Sequence, residues 1–115
     1  MQYKMREVIG EYCITLEDGQ KVYDLIHPQL VDGSSVELDF TGVKVFASPF
    51  FNFAIGQLLG DIQVDHLNRL VKFTNLNAVG TGVLKRVIQN AKRYYSDEDF
   101  HNAVDEVLAE QAVSL

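Results

Sequence analysis

The spacing of apolar residues changes abruptly in the middle of this chain. In Val36-Glu37-Leu38-Asp39-Phe40 every second residue is apolar, the period of a strand with one buried face. From Pro49 to Leu59 the apolar residues Phe50, Phe51, Ala54, Ile55, Leu58 and Leu59 recur with helical spacing, and Gly60 is well placed to stop that helix. A strand thus passes through a turn into a helix whose stripe needs a surface to pack on. The same alternation extends to both sides. Upstream, the pattern predicts a strand over Tyr3–Ile9, a break at Gly10 and a short strand at Tyr12-Cys13-Ile14. Thr15 then reads as a helix N-cap with Asp18 as its capping-box partner, ahead of Val22, Leu25, Ile26 and Leu30 at helical spacing. Gly19 is expected to weaken the first turn of that helix and Pro28 to kink or end it, before a turn at Asp32-Gly33-Ser34.

Downstream, Leu70–Phe73 reads as a strand and Val79–Tyr95 as a long helix, with Val83, Leu84, Val87, Ile88, Ala91 and Tyr95 inward. Ser96 reads as the cap of a last helix, with Asp99 as its box partner and an apolar stripe of Phe100, Ala103, Val104, Val107 and Leu108. Strands alternating with helices require crossover connections and favour parallel pairing. The expected fold is α/β, a small sandwich with a mainly parallel or mixed sheet of roughly three to five strands and about four helices.

The chain has 115 residues, which fits a single domain over 1–115 able to bury a core without metals or disulfides. Its lone cysteine, Cys13, sits between Tyr12 and Ile14 and reads as a small buried hydrophobe. A reducing compartment fits best. No apolar run approaches the roughly 20 residues that span a bilayer, and Met1–Glu7 contains no apolar leader segment, so a cytoplasmic location is expected. The net charge of −6 argues against nucleic acid as the default partner. Charge is also segregated. Arg69, Lys72, Lys85, Arg86, Lys92 and Arg93 form a stretch without acids, and every charged residue from Asp97 onward is acidic. Two readings stand: neighbouring helices whose fields offset one another, or two faces of opposite sign offered to a partner.

No constellation of catalytic or metal-binding groups emerges. His27, His66 and His101 are scattered without HxxxH or HExxH spacing, which leaves them as surface or turn residues. Asp65-His66 falls in a polar loop with no nucleophile beside it. Gly80-Thr81-Gly82 lacks the phosphate-loop spacing and reads as the start of a helix with Thr81 as its cap. No cofactor is expected. Only a pocket gathering Asp39, Ser48 and Asn75 would point to an enzyme.

Ser48 is the residue that invites a functional reading. Serine followed by proline at a helix start favours helix stability alone, through an N-cap hydroxyl and a preset backbone angle. The same hydroxyl is displayed where backbone N–H groups favour an anion, so a phosphate there would change charge and docking surface together. Phe50, Phe51 and Phe53 cannot all lie on one buried stripe. Phe53 falls on the flank shared with Gly56 and Gly60, either as a covered core edge or as a contact for a partner or a second copy. Lys85, Arg86, Lys92 and Arg93 offer a surface for an anion or an acidic partner.

The run Val36–Leu59 resembles the strand–loop–helix of the STAS domains (sulfate transporter and anti-sigma factor antagonist), and most closely the bacterial STAS-like domains of unknown function. The resemblance rests on Asp39-Phe40-Thr41-Gly42-Val43, on Ser48 at the helix start, and on Asn75-Leu76 at the end of the next strand. It implies a non-enzymatic regulatory module that binds a protein partner, of the kinase-type ATPase class, and releases it when the serine matching Ser48 is phosphorylated. Ala47 stands where the family often has Asp, and Pro49-Phe50 where it often has Ser or Thr and then Gly. The expected partner surface is Ala47, Pro49, Phe50, Phe53 and Gly56. The alternative expectation is a homodimer or a small-ligand sensor without phosphorylation, with neither nucleic acid nor membrane as partner.

Overall fold

The computed structural model describes residues 1–96. Strands β1 (Gln2–Lys4), β3 (Val36–Asp39) and β5 (Val71–Thr74) form a parallel sheet in the order β1-β3-β5. A second, two-stranded parallel sheet pairs β2 (Tyr12–Cys13) with β4 (Val45–Phe46). Helices α1 (Met5–Val8), α2 (Leu16–Val31), α3 (Ser48–Ala54), α4 (Val64–Leu70) and α5 (Ala78–Ser96) connect and cover them. A 3-10 helix, Gly56–Gly60, follows α3. The α/β class and the parallel pairing are those expected from the alternation of strand and helix periods.

The register sorts the sheet into two faces. Tyr3 pairs with Leu38, and Leu38 with Phe73, so the apolar residues line up. Val36, Leu38 and Phe40 are buried. On the opposite face Glu37 lies between Gln2 and Lys72, and Asp39 between Lys4 and Thr74. Glu37 is held there by Gln2 Nε2 at 2.8 Å and Thr74 Oγ1 at 3.1 Å. The alternation of Val36–Phe40 thus gives one buried and one polar face, with β3 as the central strand.

Packing overrides local propensity at several points. The strand expected over Tyr3–Ile9 stops at Lys4, because Met5 turns into α1 and buries its side chain completely. Helix α2 begins as expected, with the Asp18 N–H donating to Thr15 Oγ1 at 3.1 Å. It then runs through Pro28 instead of ending there. Pro28 is on the exposed side, while Ile26 and Leu30 anchor the helix in the core on either side of it. The end comes at Gly33, whose φ of 85° allows its N–H to reach the Leu30 carbonyl while the Ser34 N–H reaches that of Gln29, a Schellman closure. Leu25, expected inward, is 36% exposed.

The helix expected over Pro49–Leu59 breaks at Ile55 into α3 and the 3-10 turn. Helix α4 and strand β4 were not expected. The Asp65-His66 pair lies on α4, in a helix of seven residues that buries only Leu67, too little for a readable period. At the start of α5 the capping oxygen is Asn77 Oδ1, which accepts the Gly80 N–H at 2.8 Å, so Thr81 lies inside the first turn rather than at the cap. The helix expected beyond Ser96, with its acidic residues and His101, lies outside the described residues. Among the described residues no helix is long and apolar enough to cross a membrane.

Gly19 plays a part that its propensity hides. It is buried where α2 crosses α3, and a Cβ at that position would sit 2.3 Å from the Phe50 carbonyl oxygen and 3.0 Å from Phe53 Cβ. Backbone, not a flexible side chain, blocks the space, so one helix must retreat to admit even a methyl group. In an isolated helix, alanine is preferred over glycine by about 1 kcal/mol. Here Gly19→Ala is expected to destabilise the domain by roughly 1–3 kcal/mol through overpacking. Urea unfolding measures this, and an unchanged or raised midpoint would contradict the close approach.

Candidate functional site

Strand β4 delivers the chain to the corner that carries Ser48. Ala47 is still extended (φ −138°, ψ 152°), and its N–H donates to the Cys13 carbonyl at 2.9 Å, continuing the β2–β4 ladder. That bond fixes Ala47 as the N-cap position and places Ser48 and Pro49 in the first turn of α3. Ser48, expected as the capping residue, is thus shifted by one position, and α3 has no side-chain cap. The Ser48 hydroxyl makes no hydrogen bond with the described residues, and the residue is half-buried beside exposed Pro49 and Asn52.

The other residues expected at this corner divide sharply. Phe50 is 1% exposed and Phe51 fully buried, so Phe50 offers no surface to a partner. Phe50 and Phe51 meet edge to face at 5.2 Å, and Phe51 stacks on Phe46 at 6.0 Å and packs on Phe40 at 5.9 Å. Gly56 is also buried, where a Cβ would touch Val87 and Ala91 of α5, and it is removed from the expected contact surface. Phe53 is half-buried along α2 near Gly19. The accessible corner is Ala47, Ser48, Pro49, Asn52 and the outer part of Phe53. Lys85, Arg86, Lys92 and Arg93 are exposed on α5, a different element. Lys85 and Arg86 make no hydrogen bond or ion pair with the described residues.

A second cluster forms at the carboxyl ends of β3 and β5. Asp39 Oδ1 accepts from the Thr41 N–H at 3.0 Å, Thr41 Oγ1 at 2.6 Å and Asn75 Nδ2 at 2.9 Å. Asn75 reaches it from a left-handed backbone (φ 58°), which Asn tolerates better than most residues. The Thr41 and Asn75 hydrogen bonds, with a contribution from Lys4, outweigh burial and hold the Asp39 carboxyl below its ordinary value of 3.8. Asp39 and Asn75 therefore do come together. The cleft beside Asp39 measures about 250 Å³ and is lined by Lys4, Arg6, Glu7, Asp39 and Thr41, without Ser48. Among the described residues, Ser48 and Asn75 are not part of that lining.

The histidines and the cysteine have structural surroundings. His27 Nε2 meets Asp61 Oδ2 at 2.8 Å, and its ring stacks on Tyr23 at 4.8 Å, which ties α2 to the end of the 3-10 helix. His66 is exposed on α4. Among the described residues no group of three or more His, Cys, Asp or Glu side chains could hold a metal ion. Cys13 is fully buried, and burial, aided by Asp18, pushes its thiol up to about 12.

These surroundings fix a pH dependence. A carboxyl whose folded pKa lies below its unfolded one stabilises the fold above the unfolded value, and that contribution is lost as pH falls through the folded one. Asp39→Asn is therefore expected to lower the melting temperature at neutral pH and to flatten the loss of stability below about pH 4. Melting curves on an acid series check this. An acid limb as steep as that of the unsubstituted chain would contradict it.

No curated protein and no solved structure matches this chain. A protein-family model described as a STAS-like domain of unknown function matches residues 18–81, more than half of the chain, from the first turn of α2 to the first turn of α5. The match takes in the Asp39 cluster, the Ser48 corner and the central strand, and the parallel α/β architecture is that of a STAS-like fold. The chain belongs to the family of STAS-like domains of unknown function.

Proposed function

We propose that this domain is a non-enzymatic regulatory module of the anti-sigma factor antagonist type, which docks a protein partner at the Ser48 corner. In this reading the partner is a kinase-type ATPase, and phosphorylation of Ser48 ends the complex. The observation that carries the reading is the position of Ser48. The backbone of Ala47, not the serine hydroxyl, begins α3, so the hydroxyl is spare for modification and its loss leaves no helix end uncapped. A phosphate at the first helical position is also electrostatically favoured by the helix it precedes.

The exposed residues around Ser48 suit a transient contact. Pro49 presents a rigid apolar ring, Asn52 a polar side chain one turn on, and Phe53 part of an aromatic edge. Two bulky negative charges placed among them would disrupt a packed interface by desolvation and repulsion.

Tagged full-length chain, Ser48→Ala and Ser48→Asp, each expressed in the native cell, test the proposal. The expected outcome is a co-purifying ATPase retained by the unsubstituted chain and by Ser48→Ala, and weakened about tenfold or more by Ser48→Asp, equivalent to ~1.4 kcal/mol. Equal retention by all three would sink the switch.

A further inference from the structure

The cleft beside Asp39 has a composition that selects a ligand class. It lies at the carboxyl ends of the adjacent parallel strands β1 and β3, the end of such a sheet where ligands generally bind. Every lining residue is polar or charged: Lys4, Arg6, Glu7, Asp39 and Thr41. Two cations and two carboxylates are among them. A simple anion entering it gains from Lys4 and Arg6 but meets Asp39 and Glu7, and a simple cation meets the reverse. A molecule with an ammonium and a carboxylate a few atoms apart satisfies both pairs. The volume of about 250 Å³ lies below the roughly 300–1,000 Å³ of pockets for drug-sized ligands, which restricts the occupant to a small metabolite.

The groups are held ready for such a ligand. Asp39 Oδ1 is fixed by its three donors, whereas Oδ2 accepts no hydrogen bond from the described residues and remains available. Lys4 has no carboxylate partner within ion-pair distance among the described residues and stands next to Asp39 in the register. The Arg6 side chain lies over Gly42, where φ is 80° and a Cβ would come within 2.9 Å of Arg6 Cδ. Arg6 Nη2 is steadied by Glu11 Oε1 at 3.3 Å. The carboxylate is held by Thr41 at the cleft wall and by Asn75 behind it, and the guanidinium by Glu11, which lowers the ordering cost of binding.

We infer that this cleft binds a free α-amino acid, its ammonium on Asp39 Oδ2 and Glu7 and its carboxylate on Lys4 and Arg6. Thr41 and Gly42 lead directly from the cleft into Val43 and β4, and β4 leads to Ser48, so occupancy would be felt at the start of the segment that carries the corner. The inference goes beyond the partner reading and rests on nothing at Ser48.

Nitrogen-15 NMR titration of the full-length chain tests it, with the common L-amino acids added one at a time and with acetate, methylammonium and inorganic phosphate for comparison. At least one amino acid is expected to shift the Thr41 and Gly42 amide resonances saturably. Asp39→Asn and the exposed Lys4→Gln are each expected to weaken that binding about tenfold or more. Three outcomes would overturn the inference: no amino acid producing a shift at about 10 mM, phosphate or methylammonium alone binding as tightly, or Lys4→Gln leaving the affinity unchanged. Ser48→Ala is expected to bind like the unsubstituted chain, which keeps this result separate from the fate of the phosphorylation switch.

Discussion

The crossing of α2 and α3 at Gly19 determines where most of the molecule can lie. With no side chain there, the backbone of α3 comes close enough for Phe50 and Phe51 to enter the core while Pro49 and Asn52 stay outside. The aromatic cluster of Phe40, Phe46, Phe50 and Phe51 then joins β3, β4 and α3 into one body. Helix α3 is short, and its own propensity contributes little. Its position comes from this contact, from the ladder bond between Ala47 and Cys13, and from Val87 and Ala91 of α5 closing on Gly56. A displacement of α3 would therefore move the Ser48 corner as a unit.

The sheet divides the domain's labour. Its apolar face supplies the core with Val36 and Leu38, and Phe40 follows directly after β3. Its other face carries a polar lattice in which Gln2 and Thr74 hold Glu37, while Thr41 and Asn75 hold Asp39. Parallel sheets usually bury both faces, so a parallel sheet with a polar face must satisfy its charges through neighbours. Asp39 does so with three donors on one oxygen, and that economy leaves the second oxygen without a hydrogen bond from the described residues. The polar ends of the strands and the Ser48 corner are separate places, joined through residues 40–47.

The sequence made the order and type of the major elements legible because their signals are local. Thr15 with Asp18 is a helix start readable from spacing alone, and the stripes of α3 and, as far as Ala91, of α5 follow the helical period, whereas Tyr95, expected inward, is exposed. What it hid depends on distant partners. Pro28 reads as a helix end, yet burial of Ile26 and Leu30 outweighs its cost. Gly19 reads as a weak point and is a required contact. Ser48 reads as the cap, but the residue that caps is set by a hydrogen bond from Ala47 to Cys13, more than thirty residues back along the chain. The site was legible only in part for the same reason. Ser48 and Pro49 could be found at the corner, whereas the burial of Phe50 and Gly56 and the joining of Asp39 to Asn75 follow from long-range packing.

We propose that the Ser48 corner is a docking surface governed by phosphate. The most direct test is native mass spectrometry of the chain purified from its own cell with phosphatases inhibited, reading the intact complex and the modified residue together. Two populations are expected: unmodified chain in a stoichiometric complex with an ATPase, and free chain carrying one phosphate on Ser48. An unmodified chain found alone, or phosphate on Ser48 inside the complex, would contradict the proposal.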